Sequence, residues 1–272
     1  MREGMRDLKQ TARCGNPKAT GHLFDSWRRV AGRIRSAEHL VLFLDFDGTL
    51  APLRRRPEDV PPLDFSTRRL LGRLARHPRV DVYVISGRRR AELRRLIRVP
   101  KVHLLGLHGW EGCADVPCTS RESKLVRTAK QLLADRLPGT PGVWLEDKGL
   151  GLAVHYREAR PEEVRAVRPV VLGVLEQFKP RLNLLAGKKV WELLPCQIDG
   201  KGPAVRRILG HAPRSTLPIF AGDDTTDEPA FAALPRGITL RVGSFRRTHA
   251  RFRVRDTGEV LIFLRRLEAE IE

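Results

Sequence analysis

The stretch Leu40–Leu50 reads Leu-Val-Leu-Phe-Leu-Asp-Phe-Asp-Gly-Thr-Leu, and the rest of the chain is arranged around it. Its five leading apolar residues predict a short buried strand, which Gly48 ends. Side chains alternate along a strand, so Asp45 and Asp47 are expected on one side and Phe46 on the other. Two neighbouring carboxylates that lose hydration repel each other unless a cation or hydrogen bonds compensate. The pair therefore favours a functional site over a strand that simply ends in an Asx turn.

The composition is that of a globular protein of more than one lobe. The chain has 272 residues, of which 41% are apolar and 31% charged. No apolar run approaches the roughly 18 residues that span a membrane, and the polar segment 1–20 lacks the apolar centre of a signal peptide. We therefore expect a cytoplasmic protein with no membrane partner and a flexible tail over residues 1–20. The four cysteines show no metal-binding spacing, which favours free thiols.

The chain is strongly basic, with 51 lysines and arginines against 32 aspartates and glutamates. A net charge of +19 attracts anions, so nucleic acid is the first partner to consider. However, the arginines form short groups with few aromatic residues among them, and no nucleic-acid-binding motif is present. A surface that steers a small phosphorylated substrate explains the charge equally well, and so does an arginine-rich proteome. We predict no nucleic-acid partner, and strongly salt-dependent binding of DNA or RNA would contradict that prediction.

Strand and helix patterns alternate on both sides of a segment with a different order. Alternation of this kind predicts a parallel sheet with right-handed crossovers. The apolar runs that predict its strands are 40–46, 80–85, 102–107, 217–221 and 238–242. Residues 119–196 instead read helix, hairpin, helix, hairpin. We therefore predict an α/β, Rossmann-like core over 21–118 and 197–272, with an inserted α+β cap domain over 119–196.

Polar residues follow several of the predicted parallel strands. In such sheets the carboxyl ends of the strands meet at one edge, where ligands bind. The residues expected there are Asp45, Asp47, Ser86, His108 and Asp223. Carboxylates are hard oxygen ligands that suit Mg²⁺, whereas a transition-metal site would contain more His or Cys. The edge is therefore predicted to hold Mg²⁺ beside an anion.

The same edge predicts phosphoryl transfer. Ser86 and Lys201 supply donors for the oxygens of a phosphate. Asp45 is then positioned to attack phosphorus as a nucleophile, and Asp47 to act as general acid and base. A P-loop ATPase is disfavoured, because its Gly-x-x-x-x-Gly-Lys-Ser/Thr pattern is absent.

Residues 45–50, Asp-Phe-Asp-Gly-Thr-Leu, resemble the first motif of the haloacid dehalogenase-like phosphatases. Ser86, Lys201 and Asp223 with Asp227 resemble the second, third and fourth motifs, in the same order. Further stretches are similar to the trehalose-6-phosphate phosphatase family: 85–88, 146–149, 155–157, 187–189 and 222–228. The resemblance covers about residues 40–265. It implies Mg²⁺-dependent hydrolysis of trehalose 6-phosphate through an aspartyl-phosphate, and a functional coupling to a trehalose-6-phosphate synthase.

The resemblance also implies roles for individual residues. Asp45 would be the nucleophile and Asp47 the acid/base, while Ser86 and Lys201 hold the phosphate. The Mg²⁺ ligands and their supports would be Asp45, Asp47, Asp223, Asp224 and Asp227. The residues around the sugar would be Arg88, His108, Gly109, Glu111, Glu146, Lys148, Arg157, Lys188 and Glu192.

Two other functions of the same architecture stay open at this point. The first is a phosphatase for a different sugar phosphate, such as sucrose phosphate or mannosyl-phosphoglycerate. The second is a non-catalytic sensor of trehalose 6-phosphate, which the full set of chemical residues disfavours. Each charged residue of the cap, considered alone, could equally form a solvent-exposed ion pair within a hairpin.

Overall fold

The structure, a computed structural model, describes residues 21–112, 120–137, 139–244 and 247–272. The predicted tail over residues 1–20 lies outside the described residues. The strands are β1 (Gly21–His22), β2 (His39–Leu44), β3 (Val80–Ile85), β4 (His103–Leu105), β5 (Trp144–Asp147), β6 (Leu152–His155), β7 (Leu182–Gly187), β8 (Val190–Pro195), β9 (Thr216–Gly222), β10 (Ile238–Val242) and β11 (Phe252–Val254). The helices are α1 (Trp27–Arg35), α2 (Phe65–Leu74), α3 (Arg90–Ile97), α4 (Ser120–Arg136), α5 (Pro161–Glu176), α6 (Gly202–Gly210), α7 (Glu228–Ala233) and α8 (Thr257–Ile271).

Seven parallel strands form the larger sheet, in the order β1-β11-β10-β9-β2-β3-β4. The central strand β2 pairs with β3 on one side and β9 on the other. This order brings the residues after β2, β3, β4 and β9 to one edge, as the sequence predicted.

The alternation of β2 explains why both faces of this sheet are covered. Leu40, Leu42 and Leu44 pack with residues of α1, α2, α3 and α8 on one face. Val41 and Phe43 pack with residues of α6 and α7 on the other. Each of these side chains is at most 1% exposed, and full burial of such a side chain contributes about 1.5–3 kcal/mol before the entropy of ordering it. Asp45 continues the face of Val41 and Phe43, while Phe46 joins the opposite core.

Four antiparallel strands form the smaller sheet, in the order β5-β6-β8-β7. Residues of α4 and α5 pack on it in a separate apolar core, which includes Val126, Leu133, Val171 and Leu193. This confirms the predicted α/β core with an inserted α+β cap. The domain boundaries at 118/119 and 196/197 stay predictions, since residues 113–119 are outside the described ranges.

The structure differs from the prediction mainly in short edge elements. The helical spacing of apolar residues between Leu23 and Ile34 predicts a helix over about 22–36, but the chain forms β1, a 3₁₀ turn over Phe24–Ser26, and then α1. The third strand ends at Leu105 instead of residue 107, because Leu107 and His108 adopt positive φ angles of 47° and 58°. Strand β11 was not predicted, since three residues carry too little periodic pattern. Among the described residues, none of the helices has the length and apolar character needed to cross a membrane.

Candidate active site

A cleft lies between the carboxyl edge of the parallel sheet and the cap. The structure brings most of the predicted site residues to its lining. Those from the core are Asp45, Asp47, Ser86, Arg88, His108, Lys201, Asp223 and Asp224. Those from the cap are Glu146, Lys148, Arg157, Lys188 and Glu192.

Lys201 lies between two buried carboxylates at the base of the cleft. Its Nζ is 2.5 Å from Asp45 Oδ1 and 2.7 Å from Asp227 Oδ1. Burial alone would lower the pKa of Lys201, but Asp227 and Asp45 outweigh it and raise that pKa. Burial raises the pKa of Asp45 well above its ordinary value, with Lys201 opposing and Asp227 and Asp223 adding to the rise. The lysine therefore stays charged and holds the proposed nucleophile in place.

The acidic residues beside Lys201 fit a divalent cation. Carboxylate oxygens of Asp45, Asp223 and Asp227 lie within 4.8 Å of one another, and all three residues are buried. Burial and the charge of Asp227 raise the pKa of Asp223 to about 6. A hard cation would offset this crowding of negative charge. Gly48 permits the approach, because its φ is 82° and a Cβ there would lie 2.3 Å from Asp223 Oδ2.

Asp224 and Asp227 make other contacts as well. The Asp224 side chain accepts hydrogen bonds from the backbone N–H groups of Thr225 (2.7 Å) and Lys188 (3.1 Å). Asp227 Oδ2 accepts from the backbone N–H of Asp224 at 2.8 Å. Asp227 is fully buried behind the cleft and does not line it. Its observed contacts support Lys201 and the loop, and a metal-related role for either residue stays a prediction.

Arg88 binds the carboxylate of Asp47. Its Nε and Nη2 donate to Asp47 Oδ2 and Oδ1 at 2.7 and 2.8 Å. The same Nη2 donates to the carbonyl of Pro57 at 2.9 Å, and the guanidinium lies over the Phe46 ring at 5.6 Å. Burial would lower the pKa of Arg88, but the bonded Asp47 raises it. Two parallel bonds fix both position and plane of the Asp47 carboxylate.

A buried polar network joins the cap to the core. Glu192 on β8 contacts His108 Nε2 at 2.7 Å through one oxygen and Lys148 Nζ at 2.6 Å through the other. Lys148 Nζ also donates to the carbonyl of Gly87 at 3.0 Å. Burial would raise the pKa of Glu192, but Lys148 and His108 hold it well below its usual range. Charged side chains of the cap therefore meet polar groups of the core inside the cleft.

Two predicted residues do not reach the cleft. Gly109 packs against α6, where an added Cβ would lie 2.2 Å from that of Ala204. Glu111 accepts a hydrogen bond from the backbone N–H of Arg90 at 2.5 Å. Neither lines the cleft, because the left-handed turn at Leu107 and His108 directs only His108 into it. Trp110, which lies between Gly109 and Glu111 in the chain, is also outside the lining.

The cleft contains residues that the sequence prediction omitted. His155 on β6 contacts Glu146 at 2.8 Å and stacks on Trp144 with ring centroids 3.7 Å apart. The sequence signal that could have identified His155 was its position in the stretch 155–157, which resembles the family. The basic loop residues Arg54, Arg55 and Arg56 also line the cleft. The sequence signal for these three arginines was their position, since they follow the first motif within a few residues.

Comparison with known proteins supports a family assignment. A family model described as trehalose-phosphatase matches residues 43–256. Trehalose 6-phosphate phosphatase RA3 of Zea mays is 31% identical over 258 residues, covering 85% of this chain and 70% of the relative. Trehalose-phosphate phosphatase of Mycobacterium marinum is 31% identical over 246 residues, covering 85% of this chain and 62% of the relative. The chain thus spans less than two thirds of the mycobacterial relative.

Solved structures show the same architecture. A trehalose-6-phosphate phosphatase related protein has a TM-score of 0.69 at 27% identity, covering 84% of this chain and 97% of that one. The C-terminal domain of the Candida albicans trehalose-6-phosphate phosphatase has a TM-score of 0.75 at 22% identity, covering 94% and 99%, and shows the fold alone. Since the family match spans most of the residues and includes the whole acidic cluster, this chain belongs to the trehalose-phosphatase family.

Proposed function

We propose that this protein hydrolyses trehalose 6-phosphate to trehalose and phosphate through an aspartyl-phosphate on Asp45. The observation that supports this best is the pairing of Asp45 with the buried Lys201 at 2.5 Å, inside a cleft that also contains charged cap residues. A carboxylate that is fixed in place by a buried, charged lysine is positioned for nucleophilic attack. The family assignment supports the same chemistry.

In the proposed reaction, Asp45, Asp47 and the phosphate-binding residues each have a separate role. An oxygen of Asp45 attacks phosphorus while the bond from phosphorus to the sugar oxygen breaks, and Asp47 gives that oxygen its proton. Asp47 then accepts a proton from the water that attacks the aspartyl-phosphate, which releases phosphate and regenerates Asp45. Ser86 and Lys201 bind the phosphate oxygens throughout. Asp45, Asp223 and the backbone carbonyl of Asp47 would hold Mg²⁺, which would offset the negative charge shared by nucleophile and phosphate.

The cap residues supply the proposed specificity for the sugar. Glu146, Lys148, Arg157, Lys188 and Glu192 face the same cleft from the cap. Charged donors and acceptors of this kind discriminate strongly against a ligand that leaves them without hydrogen-bond partners. We therefore assign them to the hydroxyl groups of the disaccharide, with His108 on the core side.

Phosphate release from trehalose 6-phosphate, with Mg²⁺ and with a chelator, tests the activity and the metal together. We expect turnover only with the metal present. Sucrose 6-phosphate, mannosyl-3-phosphoglycerate and glucose 6-phosphate should be poor substrates in the same assay. Equal turnover of glucose 6-phosphate would contradict the assignment to the trehalose ester, and binding without any turnover would indicate a sensor.

The Asp45→Asn variant tests the nucleophile. It should lose at least about a thousandfold in kcat, because the amide cannot form the acyl phosphate. Asp59→Asn is the matched control, since Asp59 is exposed and does not line the cleft. Retained activity of Asp45→Asn with saturating Mg²⁺ would show that a different residue is the nucleophile. The coupling to a synthase and the cytoplasmic location remain predictions of the sequence.

A further inference from the structure

The mouth of the cleft carries three consecutive arginines whose side chains the proposed mechanism does not use. Arg54, Arg55 and Arg56 are exposed and line the cleft. Their loop is held from both sides by its backbone: Arg88 donates to the carbonyl of Pro57 at 2.9 Å, and Arg157 of the cap donates to the carbonyl of Arg54. The backbone is therefore anchored, while the guanidinium groups project at the entrance.

The cations deeper in the cleft are already paired with carboxylates. Lys201 contacts Asp45, Arg88 contacts Asp47, and Lys148 contacts Glu192. At the mouth the pairing is different. Within the described ranges, the Arg54 and Arg55 side chains form no hydrogen bond or ion pair, and Arg56 approaches Glu58 and Glu158 only at 3.9 and 4.0 Å. The uncompensated positive charge of this cleft is therefore concentrated at its entrance.

This distribution matters for an anionic substrate. A phosphomonoester dianion that approaches the base of the cleft meets the negative charge of Asp45, Asp47 and Asp223 before the reaction geometry is formed. Positive groups at a cleft mouth raise the local concentration of an anion and guide its entry. Unpaired arginines suit that purpose, because their charge is permanent and no neighbouring carboxylate cancels it.

We propose that Arg54 and Arg55 are capture residues, which attract the phosphate group of the substrate and direct it inward towards Asp45. The inference rests on the proposed function in that the ligand is the same phosphomonoester. It adds two specificity-determining residues that act before any bond changes. Because they do not contact the reacting atoms, they should affect kcat/KM and leave kcat nearly unchanged.

The double variant Arg54→Gln/Arg55→Gln tests this role. It keeps the backbone carbonyl that Arg157 contacts and removes two positive charges. Arg69→Gln/Arg94→Gln is the matched control, because both arginines are exposed, lie outside the cleft and have no carboxylate partner in the part of the chain that the structure describes. Thermal melting of both variants shows that each is folded.

Steady-state kinetics with trehalose 6-phosphate and Mg²⁺ should separate the two variants. At about 20 mM NaCl the cleft variant should lose roughly five- to tenfold in kcat/KM, with kcat within about twofold of the wild type. The loss should shrink at about 0.5 M NaCl, where the screening length falls to a few Å. The control should match the wild type. A loss in kcat, a loss that salt does not reduce, or an equal loss in the control would overturn the proposal.

Binding of inorganic phosphate, measured by calorimetry, separates this inference from the proposed function. If the wild type releases no phosphate from trehalose 6-phosphate, the proposed substrate is wrong, but the phosphate titration still decides the role of the arginines. We expect weaker, less salt-dependent phosphate binding in Arg54→Gln/Arg55→Gln than in the wild type. The Arg54→Lys/Arg55→Lys variant should recover most of the affinity, since it restores the charge. Equal affinity of the wild type and the Gln variant would overturn the inference.

Discussion

At the scale of single residues, Lys201 is a buried cation held between two buried carboxylates. It is 2% exposed and contacts both Asp45 and Asp227. A buried charge pair is stabilising only relative to its broken form, because removing one partner leaves the other charge without compensation. Lys201 therefore has a structural role as well as its proposed role in phosphate binding.

Lys201→Met should lower the free energy of unfolding by about 3–5 kcal/mol, because two buried carboxylates would then face each other without a cation. Urea denaturation without Mg²⁺ measures the change. The control is Lys130→Met, which removes an exposed pair with Asp147 at 2.9 Å and should cost less than about 1 kcal/mol. Similar costs for the two substitutions would mean that the buried pairing contributes little.

Gly48 gives a second prediction at this scale. With Gly48→Ala, the new Cβ would collide with the carboxylate of Asp223 at 2.3 Å, in a backbone conformation that alanine rarely adopts. We expect at least a tenfold loss of phosphatase activity through displacement of Asp223, since ångström-scale misplacement can cost up to about a hundredfold. Gly32→Ala on α1 is the control, because its Cβ would meet nothing within 4 Å. Wild-type activity in Gly48→Ala would show that Asp223 can move without consequence.

At the scale of the secondary-structure elements, α2 begins shortly after the loop that contains Arg54, Arg55 and Arg56, and a side chain at its N-terminus determines where it begins. The Asp64 carboxylate accepts hydrogen bonds from the hydroxyls of Ser66 and Thr67, both at 2.6 Å, and from the Thr67 backbone N–H at 3.0 Å. These bonds hold the pKa of Asp64 well below its ordinary value of 3.8. Asp64 is therefore the N-cap of α2, which satisfies backbone donors that the helix itself leaves unpaired.

Asp64→Ala should destabilise the protein by about 1 kcal/mol at pH 7. Because the folded pKa is depressed, the contribution is complete above the unfolded pKa of about 3.8 and is lost as the pH falls below it. Denaturant titrations at pH 7 and pH 3 should therefore show a smaller difference from wild type at pH 3. Asp64→Asn is the control, since asparagine also caps helices and should cost less. A difference that does not depend on pH would assign the effect to something other than this carboxylate.

At the scale of the whole molecule, the cap closes on the core through a few polar contacts around the cleft. Glu192 reaches His108 of the core, and Lys188 Nζ lies 3.2 Å from Asp223 Oδ2. Thr225 Oγ1 donates to the carbonyl of Ala186 at 2.6 Å. Since each apolar core belongs to one part of the fold, these polar groups decide how firmly the cleft is closed.

Glu192→Ala should favour opening of the cap, because it removes the bond from the cap to His108 and leaves Lys148 without its nearest carboxylate. Small-angle scattering should show a larger radius of gyration, and hydrogen exchange should be faster at the residues that line the cleft. Glu146→Ala is the control, since Glu146 contacts His155 and Lys148, both within the cap. An unchanged radius and unchanged exchange in Glu192→Ala would mean that the other contacts suffice for closure.

The sequence by itself determined the elements with long apolar patterns and the order in which they follow. The run 40–44 gave a buried central strand, and alternation along it put Asp45 opposite Phe46, as the structure has them. The predicted acidic residues at strand ends also come together, because parallel strands bring their carboxyl ends to one edge. These features depend on local periodicity, which can be read along the chain.

The tertiary structure alone decided which polar groups become partners. Asp227 contacts Lys201, Glu192 contacts His108, and the positive φ angles at residues 107 and 108 turn Gly109 and Glu111 away from the cleft. The arginines 54–56 likewise reach the cleft mouth only through the fold of their loop. The physical reason is that charge compensation joins groups far apart in the chain. No local sequence pattern predicts such pairs, because the two groups of each pair come within bonding distance only after the chain has packed.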